Sequence, residues 1–314
     1  MSKIKSKIGE ECPTLEQAFE KFLRRCKIKN LSEGTIKAYQ TNLQPFMKYL
    51  NDDFLLTDLC SDTIDDFILW LRENTTANDT SINSYLRHTR AFVYWMQESG
   101  LVKDFKIHLI KADEPIKETY TDAELEILLK KPDFKKDSFG DIRTWAFINF
   151  LCGTGQRLRT GLNVKIKDVD FQDFTITLNK QKNRKGTIIP LSRSLADCLI
   201  KYLDIRGGEP EDYLFCSEYG EQLTDKGMQT AIFRYNHRRG VDKTSIHIFR
   251  HTFAKTWVMN GGDIFRLQQI LGHSTLEMTR HYVALFGQDL QKDYEQFNPL
   301  DRLTKNRIGT KKAY

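Results

Sequence analysis

The sequence predicts a mainly α protein with a small β-sheet, built as a helical N-terminal module followed by an α+β domain. Three observations predict it. Apolar residues recur at helical spacing behind N-cap signals along most of the chain. Strand-like runs cluster between residues 162 and 190. The stretch 105–119, FKIHLIKADEPIKET, shows no period and carries Pro115 with several lysines, so it reads as an interdomain linker. A chain of 314 residues has room for about two domains.

In chain order, residues 1–12 read as a basic arm. Thr14-x-x-Gln17 forms a capping box ahead of a helix over Leu15–Cys26, with Ala18, Phe19, Phe22 and Leu23 on one face. Asn30-Leu31-Ser32 breaks it. A second helix is expected over Thr35–Leu50, because Ile36, Tyr39, Leu43, Phe46, Met47 and Leu50 fall at helical spacing. A short third helix covers Ile64–Arg72, and a fourth covers Thr80–Ser99 and stops at Gly100. Residues 13–105 therefore make a helical module and 106–119 the linker. The second domain, 120–286, opens with the capping box Thr121-x-x-Glu124 and a helix over Ala123–Lys130, then a strongly apolar helix over Phe139–Phe150. Strands are expected at Leu162–Ile166, Thr175–Leu178 and Gly186–Pro190, the last two joined by the basic turn NKQKNRKG. Helices follow at Leu195–Ile205 and Lys226–Arg238. Residues 287–314 form a tail with Leu290, Tyr294, Phe297, Leu300 and Leu303 among charges.

Composition narrows the function classes. Hydrophobic residues make up 40% and charged residues 29%, which suits a soluble protein with real cores. No apolar run approaches the roughly 20 residues of a membrane span, and the N-terminus lacks the apolar core of a signal peptide. The cytoplasm is the expected location. The six cysteines are scattered without a C-x-x-C pair, so reduced thiols are expected rather than a disulfide frame or a zinc site. A net charge of +6 favours a polyanionic partner without specifying one. In the N-terminal module Lys37, Tyr39, Arg87 and Arg90 lie on polar helix faces that could track phosphates, and Lys111 in the linker could lie along a duplex backbone. A solvated charged face is the plainer reading of each.

The chemistry concentrates in SIHIFRHTFAKTWVMNGGDIFRLQQILGHSTLEMTRHYVALF, residues 245–286. A helix opening at His247 puts Arg250 one turn on, so both share a face. Gly261-Gly262 ends that helix, Asp263 caps Ile264–Leu271, and Gly272 ends the latter beside His273. Ser274 can cap a third helix that carries Tyr282, nine residues after His273. Cleaving a phosphodiester without a metal needs a nucleophile, cations on the equatorial oxygens, a base and an acid. Tyr282 can supply the nucleophile as a covalent phosphotyrosine, and arginine forks suit the clamp.

Taken together, these residues resemble the tyrosine recombinase family, the phage-type integrases and Xer-like recombinases. Its pattern of Arg, Lys, H-x-x-R, His or Trp, then Tyr is matched by Arg157 in the turn Thr154-Gly155-Gln156-Arg157, Lys182 eight residues before Pro190, His247, Arg250, His273 and Tyr282. Arg159, two residues beyond the expected place, is the rival to Arg157, and Lys180 and Lys185 share the turn with Lys182. The match spans about residues 120–286, behind a helical module placed as the family's core-binding domain. His251 and His281 adjoin these positions and read as structural or as supports behind the catalytic side chains.

The resemblance implies that Arg157 and Arg250 hold the scissile phosphate, Lys182 protonates the departing 5′ oxygen, His247 serves as base or proton relay, and His273 donates to a phosphate oxygen. It also implies strand exchange between double-stranded DNA sites through a Holliday junction, in a homo-tetramer assembled from monomers, with no metal or nucleotide cofactor. It places such a protein in a bacterium or phage, at the nucleoid, with integration or excision of a mobile element as its task. Resolution of chromosome or plasmid dimers is the alternative. The resemblance further implies that the C-terminal tail docks on a neighbouring protomer. One position departs from the pattern: three residues after Arg157, where the family usually has Glu or Asp, this chain has Thr160. That departure leans toward a DNA-binding homologue impaired in catalysis. A type IB topoisomerase uses similar residues, but the small helical module and the L-G-H…Y spacing favour recombination.

Overall fold

The computed structural model describes residues 13–51, 53–113, 118–179, 186–273, 275–276 and 279. The chain divides into two units, Met1–Pro115 and Ile116–Tyr314.

The first unit is helical: α1 (Leu15–Ile28), α2 (Glu33–Asn42), α3 (Gln44–Leu50), α4 (Ser61–Asn74) and α5 (Asp79–Glu98). The capping box that starts α1 is formed: the Thr14 hydroxyl accepts from the Gln17 N–H, and the Gln17 side chain accepts from the Thr14 N–H. The single helix expected over Thr35–Leu50 is two helices meeting at Leu43. Pro45 explains the break, because it has no N–H to donate one turn back and its ring crowds the preceding carbonyl. Phe22, Phe46, Phe67 and Phe92 fill the core between these helices. The expected linker starts as packed chain. Ile107 is buried, and Asn83 of α5 takes both backbone groups of Ile110, donating to its carbonyl at 2.9 Å and accepting from its N–H at 3.0 Å.

The second unit comprises α6 (Asp122–Leu129), α7 (Phe139–Thr154), α8 (Leu158–Leu162), β1 (Val169–Asp170), β2 (Thr175–Leu178), β3 (Thr187–Pro190), α9 (Arg193–Arg206), α10 (Asp225–Arg238), α11 (Ile246–Met259) and α12 (Ile264–Leu271). Apolar on most of its circumference, α7 is buried all round and packs against α6, α9, α10 and α11. The three strands form an antiparallel sheet in the order β1-β2-β3, with Ile176 opposite both Val169 and Ile189.

The strand expected over Leu162–Ile166 is absent: Leu162 ends α8, and Ile166–Asp168 is a 3-10 turn before β1. Packing decided this. A Cβ on Gly161 would lie 2.9 Å from both Phe147 and Phe150, so the chain here is pressed onto α7 as a helical turn. The backbone pairing that the pattern suggested goes instead to an isolated bridge, with Ile166 N–H on the Asp212 carbonyl and Leu214 N–H on the Val164 carbonyl. The helix expected to carry Tyr282, and the tail, lie outside the described residues. Cys26, Cys60, Cys152, Cys198 and Cys216 are free thiols, and no described helix is long and apolar enough to cross a membrane.

Asn83→Ala strands the Ile110 N–H and carbonyl, and each such orphan costs about 1–3 kcal/mol. The expected result is a lower urea midpoint for the first unit and faster amide exchange at Ile107 and Ile110, both read by hydrogen exchange.

Candidate active site

The site is assembled around the end of α7. Gly155 terminates that helix in the left-handed region, at φ 62° and ψ 15°. A Cβ there would stand 2.6 Å from the Phe253 ring and 2.8 Å from Leu271, so only glycine lets the turn nest between α11 and α12. The turn then releases Gln156 and Arg157, and Arg157 opens α8 from an extended backbone.

On α11, His247 and Arg250 sit one turn apart as the sequence implied. Arg250 is only 5% exposed. Its Nη1 donates to the Gly155 carbonyl at 3.0 Å and its Nη2 to the Leu271 carbonyl at 2.8 Å. Gln156, also buried, donates its amide to the neighbouring Ile270 carbonyl. Carbonyls in the last turn of a helix have no intrahelical partner. Here two side chains meet those at the end of α12, and one of the two also meets the end of α7. The guanidinium fork thus ties three segments together.

Gln156, Arg157, Leu158, Ser245, His247 and Arg250 line one wall of a cleft of about 470 Å³, which Gln229, Thr230 and Phe233 of α10 face across. The Ser245 side chain makes no capping bond to the start of α11. That helix therefore presents the positive end of its dipole at a cleft that already holds two guanidinium groups, an arrangement suited to a phosphate. Desolvation in the cleft, then the charges of Arg250 and Arg157, hold the His247 imidazole below its ordinary 6.5. At neutral pH His247 is uncharged and able to take a proton.

His273 follows Gly272, which ends α12 at φ 62°. The ring is buried, and its Nδ1 pairs with the Thr279 hydroxyl at 2.9 Å. His273 stands two residues beyond the carbonyl that Arg250 grips. The structure thus brings Arg157, His247 and Arg250 to one cleft, with His273 held at the adjoining end of α12. Lys182 and Tyr282 lie outside the described residues, as do Lys180, Lys185 and His281. The rival Arg159 turns outward, its side chain 82% exposed and 3.8 Å from Asp225. Thr160 is buried within α8. Sequence reasoning missed Gln156, whose only signal was a polar residue inside a turn that the flanking motif already claimed.

The five residues expected to touch DNA all lie in the first unit. Lys37, Arg87 and Lys111 are exposed, while Tyr39 and Arg90 are half-buried. Tyr39 is also a packing residue: its ring meets Phe22 edge-on at 5.0 Å and His88 at 5.4 Å, which joins α2 to α5.

Residues 119–288 match the model of the phage integrase family, and residues 14–107 match that of the phage integrase SAM-like domain. Tyrosine recombinase XerC of Roseiflexus castenholzii is 28% identical over 86% of this chain and 90% of its own. Tyrosine recombinase XerD of Pseudomonas aeruginosa is 29% identical over 86% of this chain and 93% of its own. Among solved structures, the Tn1549 transposon integrase in complex with a circular intermediate DNA superposes with a TM-score of 0.69 at 19% identity, covering 85% of this chain and 93% of that one.

Titrating His247 by NMR is expected to give a midpoint below 6.5. Arg157→Ala removes one of the charges that disfavour the imidazolium, so its midpoint must move up. A midpoint unmoved by that substitution would separate Arg157 from the imidazole.

Proposed function

The chain belongs to the phage integrase family and is a tyrosine site-specific recombinase, and from that premise we propose that it cuts and rejoins DNA strands through a 3′-phosphotyrosine on Tyr282 and a Holliday junction. The observation that carries this reading is the meeting of Arg157, His247 and Arg250 in one cleft at the uncapped start of α11.

The steps follow from charge and geometry. Arg157 and Arg250 take the non-bridging oxygens of the scissile phosphate, where negative charge grows as the phosphorus becomes pentacoordinate. His247, neutral at pH 7, accepts the phenolic proton of Tyr282 as its oxygen attacks. His273 donates to a phosphate oxygen, its ring fixed by Thr279. Lys182 gives a proton to the departing 5′ oxygen. The phosphotyrosine keeps the energy of the broken bond, so a 5′ hydroxyl from another strand reverses the step and regenerates Tyr282. Lys37, Tyr39, Arg87, Arg90 and Lys111 hold the flanking duplex through the first unit.

Four protomers on two sites complete the exchange, and the tail 287–314 docks on a neighbouring protomer. An apolar groove of about 550 Å³, lined by Leu125, Leu129, Phe249, Phe253 and Trp257 among others, has the character that the tail's Leu and Phe residues require. The finer reading of the task is movement of a mobile element. Resolution of chromosome or plasmid dimers is the second reading, kept open by the likeness to relatives named tyrosine recombinase XerC and XerD. Sequencing the DNA that flanks the gene, and testing its junctions as recombination substrates, separates the two.

Tyr282→Phe is expected to keep DNA binding and to lose covalent capture on a nicked suicide substrate; capture by this variant would move the nucleophile elsewhere. Lys182→Ala is expected to slow cleavage by about 10²–10⁴-fold, the usual worth of a general acid. A 5′-thiolate leaving group, which needs no proton, is expected to restore the rate. Failure of that rescue would assign the proton to another group.

A further inference from the structure

The end of α12 is held from several sides. Arg250 donates to the Leu271 carbonyl and Gln156 to the Ile270 carbonyl. Gly272 then turns the chain at φ 62°. Gln268 takes both backbone groups of His273: its carbonyl accepts from the His273 N–H at 3.1 Å, and its side-chain amide donates to the His273 carbonyl at 3.3 Å. The backbone of His273 is thereby set, but a backbone does not choose which ring nitrogen carries the proton.

That choice falls to one contact. Nδ1 of His273 lies 2.9 Å from the Thr279 hydroxyl oxygen, within hydrogen-bond range. Thr279 is wholly buried and His273 is 8% exposed. Among the described residues the ring is the only hydrogen-bond partner of that hydroxyl. The Thr279 N–H is engaged elsewhere, on the Leu276 carbonyl at 2.9 Å.

A hydroxyl can donate or accept, and so can an imidazole nitrogen, which allows two arrangements. If Nδ1 carries the proton, the Thr279 oxygen accepts it, and the proton of the hydroxyl is left in the interior without an acceptor. Burying a donor without a partner is costly. If the hydroxyl donates to a bare Nδ1, its proton is satisfied and only a lone pair stays unused, the commoner exception in protein interiors. In a neutral ring the single proton then sits on Nε2, at the opposite edge.

We infer that Thr279 is a positioning residue of the reaction: its hydroxyl donates to Nδ1 of His273 and keeps the ring proton on Nε2, the nitrogen that donates to the phosphate. The opposite tautomer would turn a lone pair toward the phosphate oxygen, and two acceptors repel each other. The task of His273 rests on the recombinase reading. The tautomer rests on the Thr279 contact.

Two measurements on the full chain test it. The first is NMR of the chain with ¹⁵N-labelled histidine, at about pH 8, above the ordinary imidazole range. The His273 signals are identified by their loss in His273→Ala. They are expected to show a proton on Nε2 and a bare, hydrogen-bonded Nδ1. A proton on Nδ1, in the neutral ring or the imidazolium, overturns the inference. The second is the rate of covalent capture on a suicide substrate carrying the recombination site. Thr279→Val keeps the shape and removes the hydroxyl. It is expected to slow capture about 10–100-fold, the range for groups that orient metal-bound imidazoles, while Thr279→Ser stays near wild type. In a His273→Ala background Thr279→Val is expected to add nothing, because it acts through the ring. An equal loss in both backgrounds, or a serine variant as slow as valine, makes Thr279 a packing residue and overturns the role.

The labelled ring keeps the two readings apart. If wild type captures DNA and the losses add, the role of Thr279 falls and the recombinase reading stands. If wild type captures nothing while Nε2 carries the proton and Thr279→Val shifts the Nδ1 signal, the recombinase reading falls and the tautomer assignment stands.

Discussion

The Arg250 guanidinium, held between the carbonyls of Gly155 and Leu271, is the constraint on which the second unit's architecture turns. Taking a charge out of water costs several kcal/mol unless partners replace the lost hydration. Two carbonyls at helix ends supply such partners through their dipoles. Because those carbonyls belong to different helices, satisfying Arg250 fixes the end of α7 against the end of α12. Gly155 is what makes the approach close enough, since a Cβ would collide with both neighbouring helices. His247 and Arg157 then inherit their places, one from a turn of α11 and the other from the two residues that follow Gly155.

The same arrangement sets the electrostatics. A guanidinium about 4 Å from a phosphate charge is worth on the order of 4 kcal/mol at the effective dielectric of a protein surface. Two such groups outweigh the dipole of α11, which contributes at most about 2 kcal/mol. On these magnitudes the arginines, more than the helix terminus, would govern the binding of an anion in the cleft. They also act on the imidazole between them. A phosphate entering the cleft would offset their positive charge at His247 and make the protonated ring easier to reach, which the role of base proposed for His247 requires. The pKa depression in the empty cleft and the basicity needed during attack are two states of one charge balance.

Much of this was legible in the sequence, and what was not has identifiable causes. Capping boxes at Thr14 and Thr121 announced α1 and α6 because the donors and acceptors lie within four residues. The H-x-x-R pair was readable for the same reason. The break at Leu43 was missed because the apolar spacing runs unbroken across Pro45, and periodicity reports burial rather than backbone continuity. The false strand at Leu162–Ile166 arose because alternation is shared by a strand and by a bridged loop pressed on a helix. Gln156 and the two carbonyl partners of Arg250 were out of reach altogether, since each contact spans between 21 and 114 residues and carries no local pattern.

Thr160 gains its meaning from those long-range contacts. A carboxylate at that position would place a negative charge one helical turn from Arg157, which lines the cleft proposed to receive a phosphate. In this chain Thr160 is buried in α8; two of the contacts of Arg250 are to backbone carbonyls, and the Gln156 amide braces the turn that precedes Arg157. A carbonyl holds a guanidinium less strongly than a carboxylate does, but it directs the fork without adding a negative charge beside it. Losing the usual acid therefore removes an attractive partner of the arginines in the free protein and a repulsive neighbour of the phosphate in the bound one. The second effect favours binding of the anion, so a threonine there is compatible with a working clamp as long as the carbonyl contacts persist.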